Sequence, residues 1–205
     1  MNFKSALRWS VASVSLLSLH GLCYAQSQDP LADRALQEFR DKNYAAAERD
    51  LREITKRDPS NIYAHFYLGQ TLFKEEQYAA AATSFQKAHD LEKDGNGLSV
   101  VQHRILTDQL VIAYGIGGDL KKAHALLDDA IKQDPEYPLN YYNLACAFAE
   151  DGDKAKLLTN LSLAFQYKKN VLSGEQMPDP RSDSSFQKYV RDPDFVKLMT
   201  DLGYK

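Results

Sequence analysis

The sequence predicts an all-α fold in which antiparallel helix pairs stack on one another and short helices cap the C-terminal end. Three observations predict it. One apolar spacing occurs three times, three apolar helical segments lie between or after these occurrences, and a short polar turn joins each segment to the helix that follows. Residues on one face of a helix recur every three or four positions, so this spacing is typical of helices rather than strands.

The repeated spacing marks the second helix of each pair. A bulky residue is followed by alanine at +3, by a large apolar residue at +7 and by another apolar residue at +10. The alanine indicates a place where two helices approach closely. Two of the segments end in Asp-Pro, which ends a helix because proline cannot continue it. The residues concerned are Tyr44, Ala47, Leu51 and Ile54, then Tyr78, Ala81, Phe85 and Ala88, then Leu120, Ala123, Leu127 and Ala130.

Three apolar segments are each joined by a polar turn to the helix that follows, and the first two of them precede the helices that begin at Tyr78 and Leu120. Because short turns join antiparallel neighbours, each segment and its successor form one helical hairpin. The segments are residues 62–75, 104–117 and 138–151, and the turns are 75–77, 117–119 and 151–153.

This pattern resembles the tetratricopeptide repeat (TPR) family, whose unit is ~34 residues long. The similarity is clearest in residues 62–95, which carry Leu68, Gly69, Leu72, Ala81, Phe85 and Ala88 at the family's positions. His65 stands where the family usually has tryptophan, Lys93 where it has proline, and Leu157 where it has alanine.

The resemblance implies a right-handed superhelical stack and divides the chain into regions. A TPR domain is predicted at residues 26–170, with four units near 28–61, 62–95, 104–137 and 138–170. A loop and capping helices are predicted over residues 171–205. Within them, Asp183 starts one short helix, and Asp192 followed by Pro193 starts another, as an N-cap and a first helical residue would.

The first 25 residues are typical of a cleaved secretory signal. Lys4 and Arg8 precede an uncharged stretch at residues 9–19, which is too short to anchor a protein in a membrane. Cleavage is expected after Ala25, which gives a secreted or periplasmic protein of bacterial type without a membrane span. The alternatives are a retained anchor and a lipid attached to Cys23.

Charge and cysteine content exclude several classes of protein. The chain has 25 basic and 28 acidic residues and a net charge of −3. Loss of Lys4 and Arg8 with the signal leaves 23 basic residues and a net charge of −5. No block of basic residues is present, so nucleic-acid binding is not expected. Cys146 alone would remain after cleavage, so stability must come from packing rather than from a disulfide.

The sequence contains no recognisable catalytic, metal or cofactor site. The four histidines beyond the signal are His65, His89, His103 and His124, and none lies at a spacing typical of zinc ligands. Cys146 lies mid-helix without an adjacent base that would form the thiolate. We therefore expect neither an enzyme nor a bound cofactor.

Interaction residues follow from the resemblance. In the TPR family, the first helices of successive pairs line a concave groove, and the family register carries over to eleven positions of this chain. Tyr67 and Phe73, which lie at further positions of the same register, would alternatively pack between neighbouring repeats. The expected partner-binding residues are Tyr63, Phe66, Gln70, Lys74, Asp108, Gln109, Ile112, Tyr142, Asn143, Cys146 and Glu150.

The function that this resemblance implies is a non-catalytic scaffold that binds a peptide or helix of a protein partner in the groove. Aromatic anchors among amide and charged groups are typical of such surfaces. One alternative is a structural subunit of an envelope assembly, which would self-associate as a homo-oligomer. Others are a small-ligand binder and an enzyme accessory protein.

Overall fold

A computed structural model of the chain describes residues 29–93 and 98–204. The predicted signal at residues 1–25 lies outside the described residues. Two 3₁₀ turns, at Lys168–Asn170 and Ser184–Phe186, accompany the α-helices of these residues. Those α-helices are α1 Pro30–Arg40, α2 Tyr44–Arg57, α3 Ile62–Lys74, α4 Tyr78–Lys93, α5 Val100–Gly117, α6 Leu120–Gln133, α7 Pro138–Asp151, α8 Lys154–Gln166 and α9 Pro193–Asp201.

Helix boundaries follow from local side-chain chemistry. Asp29 accepts a hydrogen bond from the Leu31 backbone N–H at 2.9 Å, immediately before Pro30 opens α1. Asp192 accepts from the Asp194 and Phe195 amides in the same way at the start of α9. Such carboxylates satisfy N–H groups that a helix leaves without partners in its first turn. At the other end of a helix, Gly152 takes the left-handed conformation, φ 81°, that stops α7.

The chain divides into two compact units between residues 117 and 118, within the predicted repeat at 104–137. The first unit contains α1 to α5. Here α1 packs on α2, α2 on α3, α3 on α4 and α4 on α5. The alanines of the repeated spacing, Ala47 and Ala81, are fully buried, and Leu51 and Phe85 are buried one turn after them. Each such large side chain contributes about 1.5–3 kcal/mol by leaving water.

The second unit contains α6 to α9. Its α7 packs on both α6 and α8, and α9 packs on α8. Leu157 and Leu161 of α8 and Phe195 of α9 are buried in its core. Phe186, from the 3₁₀ turn, is also fully buried and lies against α7. The C-terminal region therefore packs against both α7 and α8, whereas the sequence predicts a cap at the C-terminal end of the stack.

The prediction of an all-α stack of helix pairs is confirmed. Over residues 29–93 and 98–204, every regular element is a helix. Connections of two or three residues join α1 to α2, α3 to α4 and α7 to α8, so the helices of each pair run antiparallel. Among these residues, no helix combines the length and the apolar character that crossing a bilayer requires.

Candidate functional site

The first candidate interaction face is formed by α3 and α5 of the first unit. The two helices lie side by side, and Gln102 Nε2 donates a hydrogen bond to the Tyr63 hydroxyl over 3.4 Å. Tyr63 is half-buried, so part of its side chain remains accessible to solvent. This bond joins the N-terminal turns of the two helices and sets where the face begins.

Aromatic packing occupies the next turn of α3. The Phe66 ring lies edge-on to Tyr67, with centroids 5.6 Å apart, and tilted against Phe85 of α4 at 5.8 Å. Phe66 is buried, as are Asp108 and Ile112 of α5. Phe66 therefore packs against the second helix of its own pair.

Gln70 and Lys74 continue the face by one and two helical turns. Gln70 is only 8% exposed, and within the described residues its Oε1 accepts no hydrogen bond. A buried acceptor without a donor costs about 1–3 kcal/mol. Lys74 is exposed at the end of α3, and Gln109 of α5 is half-buried. This part of α3 therefore holds a buried amide oxygen without a donor, and one turn later an accessible ammonium group.

The second candidate face lies on α7 of the second unit, and a C-terminal segment of the chain covers it. The Tyr142 hydroxyl donates a 2.8 Å hydrogen bond to Asp183 Oδ2, and its ring meets Phe186 edge-on at 5.7 Å. Near the end of α7, the Tyr189 hydroxyl donates to the Ala149 carbonyl over 3.4 Å. The predicted groove residues on α7 are consequently buried, apart from Glu150, which is half-buried.

Burial under this segment changes the acid–base properties of α7. It raises the pKa of the Tyr142 hydroxyl far above its ordinary value. It also raises the pKa of the Cys146 thiol, and the nearby negative charge of Asp183 adds to that effect. The pKa of Glu150 rises because of burial too, although the positive charge of Lys188 opposes the change. In all three groups burial favours the neutral form, since a charge in a buried site is costly.

The helix pairs of the first unit match a known family. Residues 32–94, which correspond to α1 through α4, match the family model of the tetratricopeptide repeat. Residues 32–94 form tetratricopeptide repeats.

Solved structures of other TPR proteins share this fold. One crystal structure of MamA is 19% identical over 84% of this chain and 87% of that chain, with a TM-score of 0.64. YrrB, a TPR protein with an unusual peptide-binding site, is 15% identical over 91% of both chains, with a TM-score of 0.59. At these identities the likeness shows the fold alone. No curated protein matches the chain significantly.

In this TPR protein the eleven predicted residues fall into two sets, one in each unit. The first set lies on α3 and α5, and the second lies on α7 beneath the C-terminal segment. Lys74 is exposed, whereas Tyr63, Gln109 and Glu150 are half-buried. The remaining seven are buried: Phe66, Gln70, Asp108, Ile112, Tyr142, Asn143 and Cys146.

Two contributors to these faces are missing from the residues that the sequence predicts. Gln102 precedes the predicted start of the third unit at residue 104, yet it bonds Tyr63. The sequence indicates that Asp183 starts a short helix, but nothing in its local pattern indicates that it reaches Tyr142. Contacts between residues about 40 positions apart in the chain produce no local sequence pattern from which they could be predicted.

Two of the histidines each lie beside a carboxylate. His103 Nδ1 lies 2.8 Å from the Glu92 carboxylate, and His124 Nε2 lies 2.7 Å from that of Asp151. Among the described residues, no three His, Cys, Asp or Glu side chains converge as metal ligands would.

Proposed function

We propose that this TPR protein is a non-catalytic interaction module that binds a segment of a protein partner along α3 and α5. The observation that carries the proposal is the Gln70 side chain, which is buried on this face while its Oε1 accepts no hydrogen bond within the described residues. Because Oε1 is buried in the unbound chain, the Gln70 side chain would rotate to accept a hydrogen bond from a backbone N–H of the bound peptide. TPR domains generally act as interaction modules, which supports the same conclusion.

The spacing of Gln70 and Lys74 defines the peptide further. Positions four apart on a helix place their Cβ atoms ~5–6 Å apart. Two residues of an extended peptide cover about 6.6 Å. The proposed ligand therefore presents a backbone N–H to Gln70 and, about two residues away, an acidic side chain to the Lys74 ammonium. A pair of opposite charges at the exposed edge of the binding face, where Lys74 lies, favours the correct orientation of the ligand.

A non-catalytic role is supported by the state of Cys146. The thiolate, not the thiol, is the nucleophile in cysteine catalysis. Burial raises the pKa of this thiol well above its ordinary value, so the neutral form predominates at neutral pH. The segment that carries Ser185 and Phe186 also blocks access to it.

We also propose that residues 1–25 direct export and are removed after Ala25. The positive start at Lys4 and Arg8, the short uncharged stretch and the small residues at positions 23 and 25 support this proposal. The partner would then be a periplasmic or extracellular protein.

A charge-reversal pair tests the face on α3 and α5. Peptides selected from a random displayed library against the full chain should bind Lys74→Glu about fivefold more weakly than wild type, because reversal removes an ion pair at the rim. Gln70→Ala should weaken binding by a similar factor. Fluorescence anisotropy of the labelled peptides measures both effects.

The matched control is Lys87→Glu, which makes the same charge change at an exposed position on α4, the second helix of the same pair. It should leave peptide affinity within about twofold of wild type, because exposed charges away from a contact contribute little. Equal losses in the Lys74 and Lys87 variants, or failure to select any peptide, would contradict the proposal.

A further inference from the structure

The C-terminal segment follows α7 along almost its whole length. At the start of α7, the Tyr137 hydroxyl donates to Glu175 at 3.1 Å. Further along, Tyr142 bonds Asp183, and near the end Ala149 accepts from Tyr189. Residue numbers rise together on the two sides of the contact, so residues 175–189 run parallel to α7.

The segment contacts the positions of α7 that correspond to the ligand-facing positions of α3. By the repeat register, Tyr142 is equivalent to Phe66, and Cys146 is equivalent to Gln70. Phe186 packs against the first of these α7 residues, and the negative charge of Asp183 acts on the second. The chain's own residues therefore lie where the proposed function places a bound peptide, and the inference below rests on that function.

The segment is held by two buried side chains, the Asp183 carboxylate and the Phe186 ring, as a bound peptide ligand would be. The Asp183 carboxylate is only 2% exposed, and it accepts from two neutral donors, the Tyr142 hydroxyl and the Ser185 backbone N–H. Phe186 is fully buried between the rings of Tyr142 and Phe195, at centroid distances of 5.7 and 6.0 Å. A buried carboxylate held by neutral donors gives strong selectivity but offsets part of the binding energy through its desolvation.

The connection to α8 allows this segment to leave without disturbing the helix pairs. Ser173 and Gly174 are exposed, and Gly174 has a positive φ of 87°. An exposed turn of this kind opens at low cost compared with a buried helix. Separation of residues 175–189 breaks their contacts with α7 and the contact between Phe186 and Phe195 of α9, whereas the α7–α8 pair itself has its own contacts.

We propose that the α7 face is a second peptide-binding site, which the chain fills with its own residues 183–189. The partner peptide that replaces them carries a carboxylate and, three residues later, an aromatic ring, as Asp183 and Phe186 do. The Tyr142 hydroxyl receives the carboxylate, and the surface between Tyr142 and Phe195 receives the ring.

Cys146 reports directly on opening of the segment. The test uses the full chain carrying Cys23→Ser, so that a thiol reagent labels Cys146 alone. The labelling rate should depend less on denaturant concentration than the global loss of helicity does, because separation of the segment exposes less surface than global unfolding. Asp183→Asn with Phe186→Ala should accelerate labelling at least about tenfold while helicity stays native, since both anchors are lost.

The matched control is Asp128→Asn with Val196→Ala, which makes the same types of change at exposed positions on α6 and α9. It should leave the labelling rate within about twofold of wild type, because exposed substitutions have small effects. If the double anchor variant loses helicity, Tyr142→Phe replaces it, since that change removes only the hydroxyl that bonds Asp183. Labelling that in every variant follows global unfolding would identify the segment as a permanent cap and overturn the proposal.

Direct binding completes the test. A synthetic peptide of residues 181–192, RSDSSFQKYVRD, should bind the full-chain anchor variant and protect Cys146 from labelling. Changing its aspartate to asparagine or its phenylalanine to alanine should weaken binding at least about tenfold. Absence of binding to the opened variant, or its dimerisation without peptide uptake, would overturn the proposal. Failure of the Lys74 test would leave these readouts unaffected, so the two proposals fail separately.

Discussion

Individual residues set how closely the helices of this protein approach. Gly69 of α3 faces Phe85 of α4, and a Cβ atom added at Gly69 would lie 2.6 Å from Phe85 Cδ1. Phe85 is fully buried, so its ring has little room to move.

A second residue-scale feature is Asp50, which is buried and accepts hydrogen bonds from Arg34 Nε at 2.6 Å and from Arg49 Nε at 3.1 Å. The hydrogen bond from Arg34 lowers the pKa of Asp50.

Replacing Gly69 by alanine should destabilise the protein. Overpacking against Phe85 costs about 1–3 kcal/mol, and the better helix propensity of alanine returns up to about 1 kcal/mol of that. Chemical denaturation monitored by circular dichroism measures the change in the free energy of unfolding.

Gly117→Ala is the control for this substitution. Its added Cβ would lie 3.9 Å from the nearest atom, an ordinary contact with Ala79, so stability should be unchanged or should rise by up to about 1 kcal/mol. Equal effects at Gly69 and Gly117 would show that close packing does not explain the glycine at residue 69.

At the scale of elements, the repeated alanines determine how the helices pack. Ala47, Ala81 and Ala123 occupy the same position in three second helices, and all three are fully buried. The spacing that predicts these helices therefore also identifies their contact faces. The C-terminal elements behave differently. Asp183 and Asp192 cap the short helices that the sequence indicates, yet the segment around Asp183 lies along α7 rather than only at the end of the stack.

Ala81→Arg tests the contact face of α4. A long, charged side chain without a partner would enter a fully buried position, and such a change costs more than about 3 kcal/mol. Thermal melting should show a large drop in Tm or complete loss of cooperative unfolding.

Ala79→Arg introduces the same side chain at an exposed position of the same helix. This control should stay within about 0.5 kcal/mol of wild type. A native melting curve for the Ala81 variant would show that the repeat register is wrong.

At the scale of the whole molecule, two compact units of the chain each carry one of the candidate faces. The face on α3 and α5 presents Lys74 and holds the buried Gln70 amide oxygen, which lacks a donor, whereas the face on α7 holds the chain's own segment. Such a division would let one protein bind two different peptides. The acidic net charge of −3 is consistent with protein rather than nucleic-acid partners.

Export can be tested on the intact protein. Mass spectrometry of the protein isolated from the envelope or medium of its host should show a chain that begins at Gln26. Ala25→Arg should block this processing, because signal peptidases require a small residue at that position. A mature chain that retains Met1, or that carries a lipid on Cys23, would contradict the predicted cleavage.

The sequence by itself determined the helices and much of their packing. Apolar spacing, proline positions and capping aspartates act over a few residues, and a single chain displays them completely. These local patterns are sufficient to identify the alanines at the helix contacts and the glycine at residue 69.

Only the tertiary structure decided which predicted interaction residues are covered. Burial of Tyr142 and Cys146 depends on Asp183 and Phe186, which lie about 40 residues further along the chain. The acceptor at Gln70, likewise, is recognised only once its neighbours have been placed. The physical reason is that burial and hydrogen bonding depend on distances in space, whereas a sequence pattern records only distances along the chain.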